Sequence, residues 1–308
     1  MSAAAASFDA GAAIGLLDGW IAARVPEATR EWIRAQRAAI ASTGEIALGK
    51  ALGWTARRVG KADLGLSARE LAQAATLRPG FDPSCWSLDQ ATRVSFVLGA
   101  FDGDEPAFAR RLDRLADTAE INELIALYLG FGLYPPLAAL EARAREAVRS
   151  GIRPVFEAIA HRNPFPVECF GEDAWNQMIA KTFFLDAPLW PIQGLERRAN
   201  PALTRMLVDL ARERRAAGRA IPRALWRCLR PDDCEAAAAE MARVLAEGAD
   251  DERLAVCLSL AQASGAAADD LRARCHARGL AARAAALHWR ALEAAPATSP
   301  STDGDLHP

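Results

Sequence analysis

The sequence predicts an all-α protein, and three observations carry that expectation. Alanine, the strongest helix former, fills 70 of the 308 positions. Aromatic residues make up only 7% of the chain and tyrosine occurs twice, so the residues that favour strands are scarce. Capping and breaking signals cut the rest into helical pieces of about 10–20 residues joined by short connections.

Read in order, residues 10–25 and 27–41 form a first pair, with Pro26 at the start of the second helix. A helix over 44–59 follows. Ser67 opens the capping box S-A-R-E and predicts a helix to about residue 77. The stretch RPGFDPSCW (78–86) is a loop, and Ser87 starts a helix through about 100. Asp102–Gly103–Asp104 is a turn before an amphipathic helix over 105–116, with Phe108, Leu112 and Leu115 on one side. Further helices are expected over 118–128, 136–150, 152–161, 171–184, 201–217, 232–247, 251–264 and 268–291. The architecture that fits is stacked antiparallel helix pairs, an α-superhelix of armadillo or HEAT type, with a compact orthogonal bundle as the alternative. A single domain is expected over 1–295, and the proline-rich polar end, 296–308, is expected to be a disordered tail.

Composition excludes several classes of function. Apolar residues at 51% and charged residues at 25% suit a globular chain and exclude a disordered, collagen-like or polytopic membrane protein. A formal net charge of −2 gives no global field toward nucleic acid or an anionic membrane. The N-terminus lacks a basic region, and Asp9 and Asp18 interrupt its apolar stretch, so no secretory signal is expected and the cytoplasm is the default. The longest uncharged run, Leu124–Leu140, is too short for a span and is broken by Gly130, Gly132, Pro135 and Pro136, so no membrane insertion is expected. None of the six cysteines forms a Cys-x-x-Cys pair, which predicts free thiols rather than disulfides or zinc. The four histidines are scattered, so no metal is expected. Aspartate pairs at 232, 250 and 269 read as helix caps. No G-x-S-x-G, P-loop or dinucleotide fingerprint occurs, and no cofactor is expected.

Residues 161–200 break this alanine–leucine–arginine pattern with four prolines, two tryptophans and three asparagines. Gln177 and Lys181 lie four apart on one helical face. Asn200–Pro201 marks a helix start, followed by the stripe Leu203, Met206, Leu207 and Leu210, with Arg205–Asp209 as an expected ion pair. The chain holds 34 arginines and three lysines, so Lys181 stands out as a compact ammonium among planar guanidinium forks. Residues 196–230 carry ten arginines against three acids, which reads as a solvated helical face rather than a nucleic-acid surface.

This segment resembles the EboA domain family. The resemblance lies in H-R-N-P-F-P (161–166), A-W-N-Q-M-I-A-K (174–181), I-Q-G-L-E-R-R-A-N (192–200), R-M-L-V-D-L (205–210), A-R-E-R-R-A-A-G-R (211–219) and Leu225–Trp226–Arg227, densest over 152–227. Weaker similarity runs back through 141–159 and 121–128, and Gln193, Glu196 and Arg215 depart from the pattern. The resemblance implies a bacterial gene cluster of secondary-metabolite biosynthesis or export. It does not itself supply a reaction, so whether the chain is an enzyme stays open.

The polar side chains of the segment are expected to line a ligand pocket. Amides hydrogen-bond hydroxyls, and Lys and Arg pair with phosphate or carboxylate. The expected ligand-binding set is His161, Asn163, Asn176, Gln177, Lys181, Gln193, Arg198, Asn200 and Glu213, suited to a polar intermediate with an anionic group favoured. Each also has a structural role open to it, as cap, turn or buried amide. One alternative is a scaffold for pathway proteins with Trp175, Trp190 and Trp226 as anchors. Another is an enzyme using Lys181, His161 or Glu213 in proton transfer.

Overall fold

The computed structural model describes residues 9–135 and 138–294, and the elements within them are helical, with a single β-bridge between Asp63 and Ser87. The all-α prediction holds. The chain divides into two compact units at Met178–Ile179. The predicted tail lies outside the described residues.

In the first unit, α1 (Ala10–Ala22) is capped by Asp9, whose carboxylate accepts from the Ala12 amide at 2.9 Å. α2 (Glu27–Thr43) and α3 (Glu45–Val59) join through Gly44 in positive φ, +68°. α4 (Ala68–Leu77) carries the predicted capping box between Ser67 and Glu70. α5 (Leu88–Leu98), α6 (Glu105–Thr118) and α7 (Ile121–Leu129) follow, then a 3-10 turn over Gly130–Gly132 and another over Ala138–Leu140. α8 (Glu141–Arg149), α9 (Arg153–Ala160) and α10 (Phe165–Cys169) complete the unit, and α11 (Glu172–Phe184) runs across the division.

α5 is the hub of the first unit. Every residue from Leu88 to Leu98 except Gln90 is buried, because α1, α3 and α7 pack around it. A helix that is apolar on one stripe needs one neighbour, and one buried all round needs several. The pairs α2/α3 and α8/α9 pack as sequence neighbours, whereas α5 gathers non-consecutive helices.

Arg24 ties this unit's entry together. Its guanidinium pairs through two nitrogens with both Glu70 oxygens, each at 2.9 Å, and bonds the carbonyls of Trp20, Leu64 and Gly65. These Arg24 bonds, joined by the Ser67 backbone and hydroxyl, hold the Glu70 carboxyl down at about 2. A depressed carboxyl contributes stability that is present above its unfolded value and lost as pH falls through the folded one. The contribution is expected to fade between about pH 4.5 and 2, discounted because the pair is partly solvated. Glu70→Gln should therefore flatten the acid limb of a pH–stability curve; an unchanged limb would refute the assignment.

In the second unit α12 (Pro201–Ala216) starts where predicted, its first turn capped by Asn200, which accepts from the Leu203 amide at 2.9 Å. Leu203, Leu207 and Leu210 are buried, while Met206 faces out. Arg205 and Asp209 form no ion pair among the described residues. A 3-10 turn over Arg223–Cys228 precedes α13 (Glu235–Glu247), α14 (Asp250–Leu260), α15 (Ala266–Ala277), α16 (Leu280–Ala285) and α17 (Trp289–Ala294). The single helix expected over 268–291 is broken, because Gly279 takes a left-handed conformation (φ +67°) and a non-helical link separates α16 from α17.

Two further expectations are corrected here. Asp232 does not cap the helix it precedes. Its carboxylate accepts from Ala267 and Ala268, both at 3.0 Å, and so caps α15 across 35 residues of chain. Cys257 on α14 and Cys275 on α15 form a disulfide, with Cα atoms 6.1 Å apart. Helix packing had placed side by side two thiols that spacing alone could not connect. Cys85, Cys169, Cys228 and Cys234 are free.

Candidate functional site

The polar turn that closes α9 is held by three neighbouring segments. α9 enters with Pro154 in its first turn and buries Val155, Phe156, Ala158, Ile159 and Ala160. It ends as the His161 amide donates to the Glu157 carbonyl at 2.9 Å. Arg162 then takes positive φ, +52°, a conformation that costs a residue with a Cβ about 1–2 kcal/mol. Asp82 offsets that cost twice. Its amide donates to the Arg162 carbonyl at 3.2 Å, and its carboxylate pairs with Arg162 Nε at 3.3 Å.

Asn163 fastens the next step. Its Nδ2 donates to the carbonyls of Tyr128 and Ala158, both at 3.3 Å, and its Oδ1 accepts from the Phe165 amide at 3.1 Å. One amide thus joins α7, α9 and the start of α10. His161 sits between these fixtures, 8% exposed, its ring edge-on to Phe156 at 6.4 Å.

The facing wall is the 78–87 loop. Trp86 packs edge-to-face on Phe81 at 5.3 Å, and Phe81 lies so close to Gly132 that a Cβ there would meet it at 2.8 Å. The Leu64 amide donates to the Trp86 carbonyl at 2.8 Å and the Leu88 amide to Ala62 at 2.9 Å, fixing both flanks. Arg78 donates to the carbonyls of Phe131 and Tyr134 and pairs with Glu168.

Between the loop and the turn lies a cavity of about 170 Å³. Its floor is apolar: Trp86, Ile125, Leu129, Pro154 and Ala158. Its polar lining is Asp82, Cys85, Gln90, Glu157, His161 and Arg162. Two carboxylates stand against one guanidinium on this surface. Asp82 is matched by Arg162, and Glu157 by Arg153 at 2.7 Å from the outer side. Gln90 accepts from the Ser87 amide at 2.9 Å through its oxygen, which turns its NH2 donors elsewhere.

Of the residues singled out by sequence, His161 lines this cavity and Asn163 positions its turn. On α11, Asn176 is buried and Gln177 is exposed. Lys181 is half-buried and makes no ion pair among the described residues. In the second unit, Gln193 and Arg198 are half-buried on the link before α12, and Asn200 is the α12 cap. Glu213 is solvent-facing and pairs with Arg219 at 2.9 Å. Trp175 and Trp226 are wholly buried, and Trp190 is half-covered with the Arg290 guanidinium 4.7 Å from its ring centre.

The arginine-rich run is largely consumed within the second unit. Glu240 takes Arg212 and Arg215, Asp251 takes Arg223 at 2.8 Å, and Glu196 takes Arg227 at 2.7 Å. Burial raises the Glu196 carboxyl, but the Arg227 bond and charge outweigh it and hold the group below its usual range. Arg214 donates to the carbonyls of Phe183 and Ala220.

Sequence reasoning missed Asp82, Gln90, Glu157 and Arg162. The available signal was the loop RPGFDPSCW itself, where two prolines, an Asx turn from Asp82 to Ser84 and a tryptophan interrupt a helical chain.

The family model described as metabolite traffic protein EboA matches residues 13–230, more than two thirds of the chain and well beyond the densest motifs. No curated protein matches, and no solved structure does.

Proposed function

Because the chain belongs to the EboA family of metabolite traffic proteins, we propose that its first unit binds a small hydroxylated metabolite in the cavity beside His161 and Arg162. The observation that carries this reading is the cavity's lining. A flat apolar floor of Trp86, Pro154 and Leu129 suits one ring face, and Gln90, His161, Asp82 and Glu157 offer donors and acceptors to hydroxyls along its edge. The volume suits a group about the size of one substituted six-membered ring, since a cavity of roughly 150 Å³ holds benzene. The charge balance favours a neutral polyol-like group over the anionic one expected from the segment's Lys and Arg side chains, because the Arg162 guanidinium on the lining is already matched by Asp82 and the Glu157 carboxylate by Arg153.

In this reading the protein is an accessory that holds and hands on an intermediate of secondary-metabolite biosynthesis or export. Lys181 favours a second reading, an anion contact on α11, because its half-buried ammonium carries no ion pair among the described residues.

Thermal melts of the full chain with neutral cyclic polyols and with inorganic phosphate test both. At a hundred times Kd, binding adds about 2.7 kcal/mol, or about 5–10 °C for units of this size. Polyol stabilisation lost in His161→Ala and kept in Lys181→Ala supports the cavity. Stabilisation by phosphate alone, lost only in Lys181→Ala, overturns it in favour of the second reading.

A further inference from the structure

We propose that the outer face of α3 docks the protein onto an anionic lipid surface. α3 buries Leu48, Ala51, Leu52 and Thr55. Directly opposite, Ile46, Lys50, Gly53, Trp54 and Arg57 fall within one stripe, since steps of four, seven and eleven residues return near the same helical azimuth. Ile46 is 70% exposed and Trp54 51% exposed, among the largest exposed apolar side chains of the chain. The Arg57 guanidinium lies 5.2 Å from the Trp54 ring centre.

Charge and area together select the occupant. Lys50, Arg57 and Arg58 lie exposed on the helix. Opposing them, Glu123 brings a carboxylate to the flank of Gly53, 3.7 Å from where a Cβ would sit, and Glu120 stands at the start of α7. Glu45 is neutralised by Arg114 through two bonds, at 2.8 and 2.5 Å. Lys50, Arg57 and Arg58 against Glu120 and Glu123 leave the face net positive by one charge.

Ile121, 52% exposed, adds a third apolar group at the start of α7. Three such side chains fall short of the roughly 800 Å² per partner that a stable protein interface buries. An indole with lysine and arginine stems around it suits the headgroup boundary instead, where the ring sits at the interface and the cations reach phosphate. No described helix is long and apolar enough to cross a membrane, so the contact would be lateral.

The test is co-sedimentation of the full chain with vesicles of phosphatidylcholine alone or with about one third phosphatidylglycerol, at low salt and at high salt. The expected result is binding that requires phosphatidylglycerol and falls at high salt. Lys50→Glu/Arg57→Glu should weaken it about tenfold or more, and Trp54→Ser several-fold, at unchanged melting temperature. Equal binding to phosphatidylcholine alone, or variants that bind like the parent chain, would overturn the proposal. So would a dimer by light scattering that Trp54→Ser disperses, which would assign the face to a second copy. His161→Ala should bind vesicles normally, so this outcome is independent of the cavity.

Discussion

Arg93→Ala is expected to destabilise the first unit by about 3–5 kcal/mol, the range for stranding one member of a buried ion pair. Arg93 and Asp89 face each other one turn apart on α5, each with a side chain only 5% exposed. Arg93 Nε also donates to the Leu52 carbonyl on α3 at 3.2 Å, and the Ser87 hydroxyl donates to Asp89 at 2.6 Å. Alanine at 93 removes the cation and leaves the carboxylate in the hub of the unit with one hydroxyl for company. Replacing both residues with apolar ones, Asp89→Leu with Arg93→Met, removes the charge and the need for it together. That double variant is expected to be more stable than Arg93→Ala alone. Denaturant midpoints for the two proteins decide the matter, and a double variant as unstable as the single one would show that the pair acts through its geometry rather than through desolvation.

Gly130→Ala is expected to cost a comparable amount, about 3 kcal/mol or somewhat more, by overpacking. A Cβ at Gly130 would stand 2.2 Å from Tyr134 Cζ and 2.3 Å from its hydroxyl oxygen. The tyrosine has nowhere to go. It is wholly buried, edge-on to Phe108 at 5.4 Å and tilted against Phe131 at 5.7 Å. Its hydroxyl has no partner among the described residues, and burial drives its pKa far above the ordinary tyrosine value. Tyr134→Phe should therefore be close to neutral and should relieve part of the Gly130→Ala penalty. A double-mutant cycle measures that coupling; strict additivity would mean that the tyrosine hydroxyl is not what the added methyl displaces.

Local signals were readable and long-range ones were not. Ser67 and Asn200 announced their helices because a cap acts within three residues, and both side chains bond where the spacing said they would. Asp232 looked identical in sequence, yet it caps a helix 35 residues away, a choice that only tertiary packing makes. α10, five residues with Pro164 before it and Pro166 within it, gives no periodicity to read. The same contrast holds for the candidate site. His161 and Asn163 stood out by composition. Arg162 did not, because arginine is everywhere in this chain, and its partner Asp82 lies 80 residues earlier in a loop that reads as a connection. The disulfide between Cys257 and Cys275 was hidden for the same reason.

The position of α5 in the chain bears on how the first unit is made. A fully enclosed helix is a hazard while the chain is still emerging, because its apolar girth has no cover. Here two of its principal neighbours, α1 and α3, precede it, so three-sided exposure never arises. The remaining side waits for α7, which ends 31 residues after Leu98. At about 5–20 residues per second that interval is about two to six seconds. The hub is laid down fifth among its helices, late enough to find a bed and early enough to serve as one, so the nascent chain carries its stickiest surface exposed only briefly.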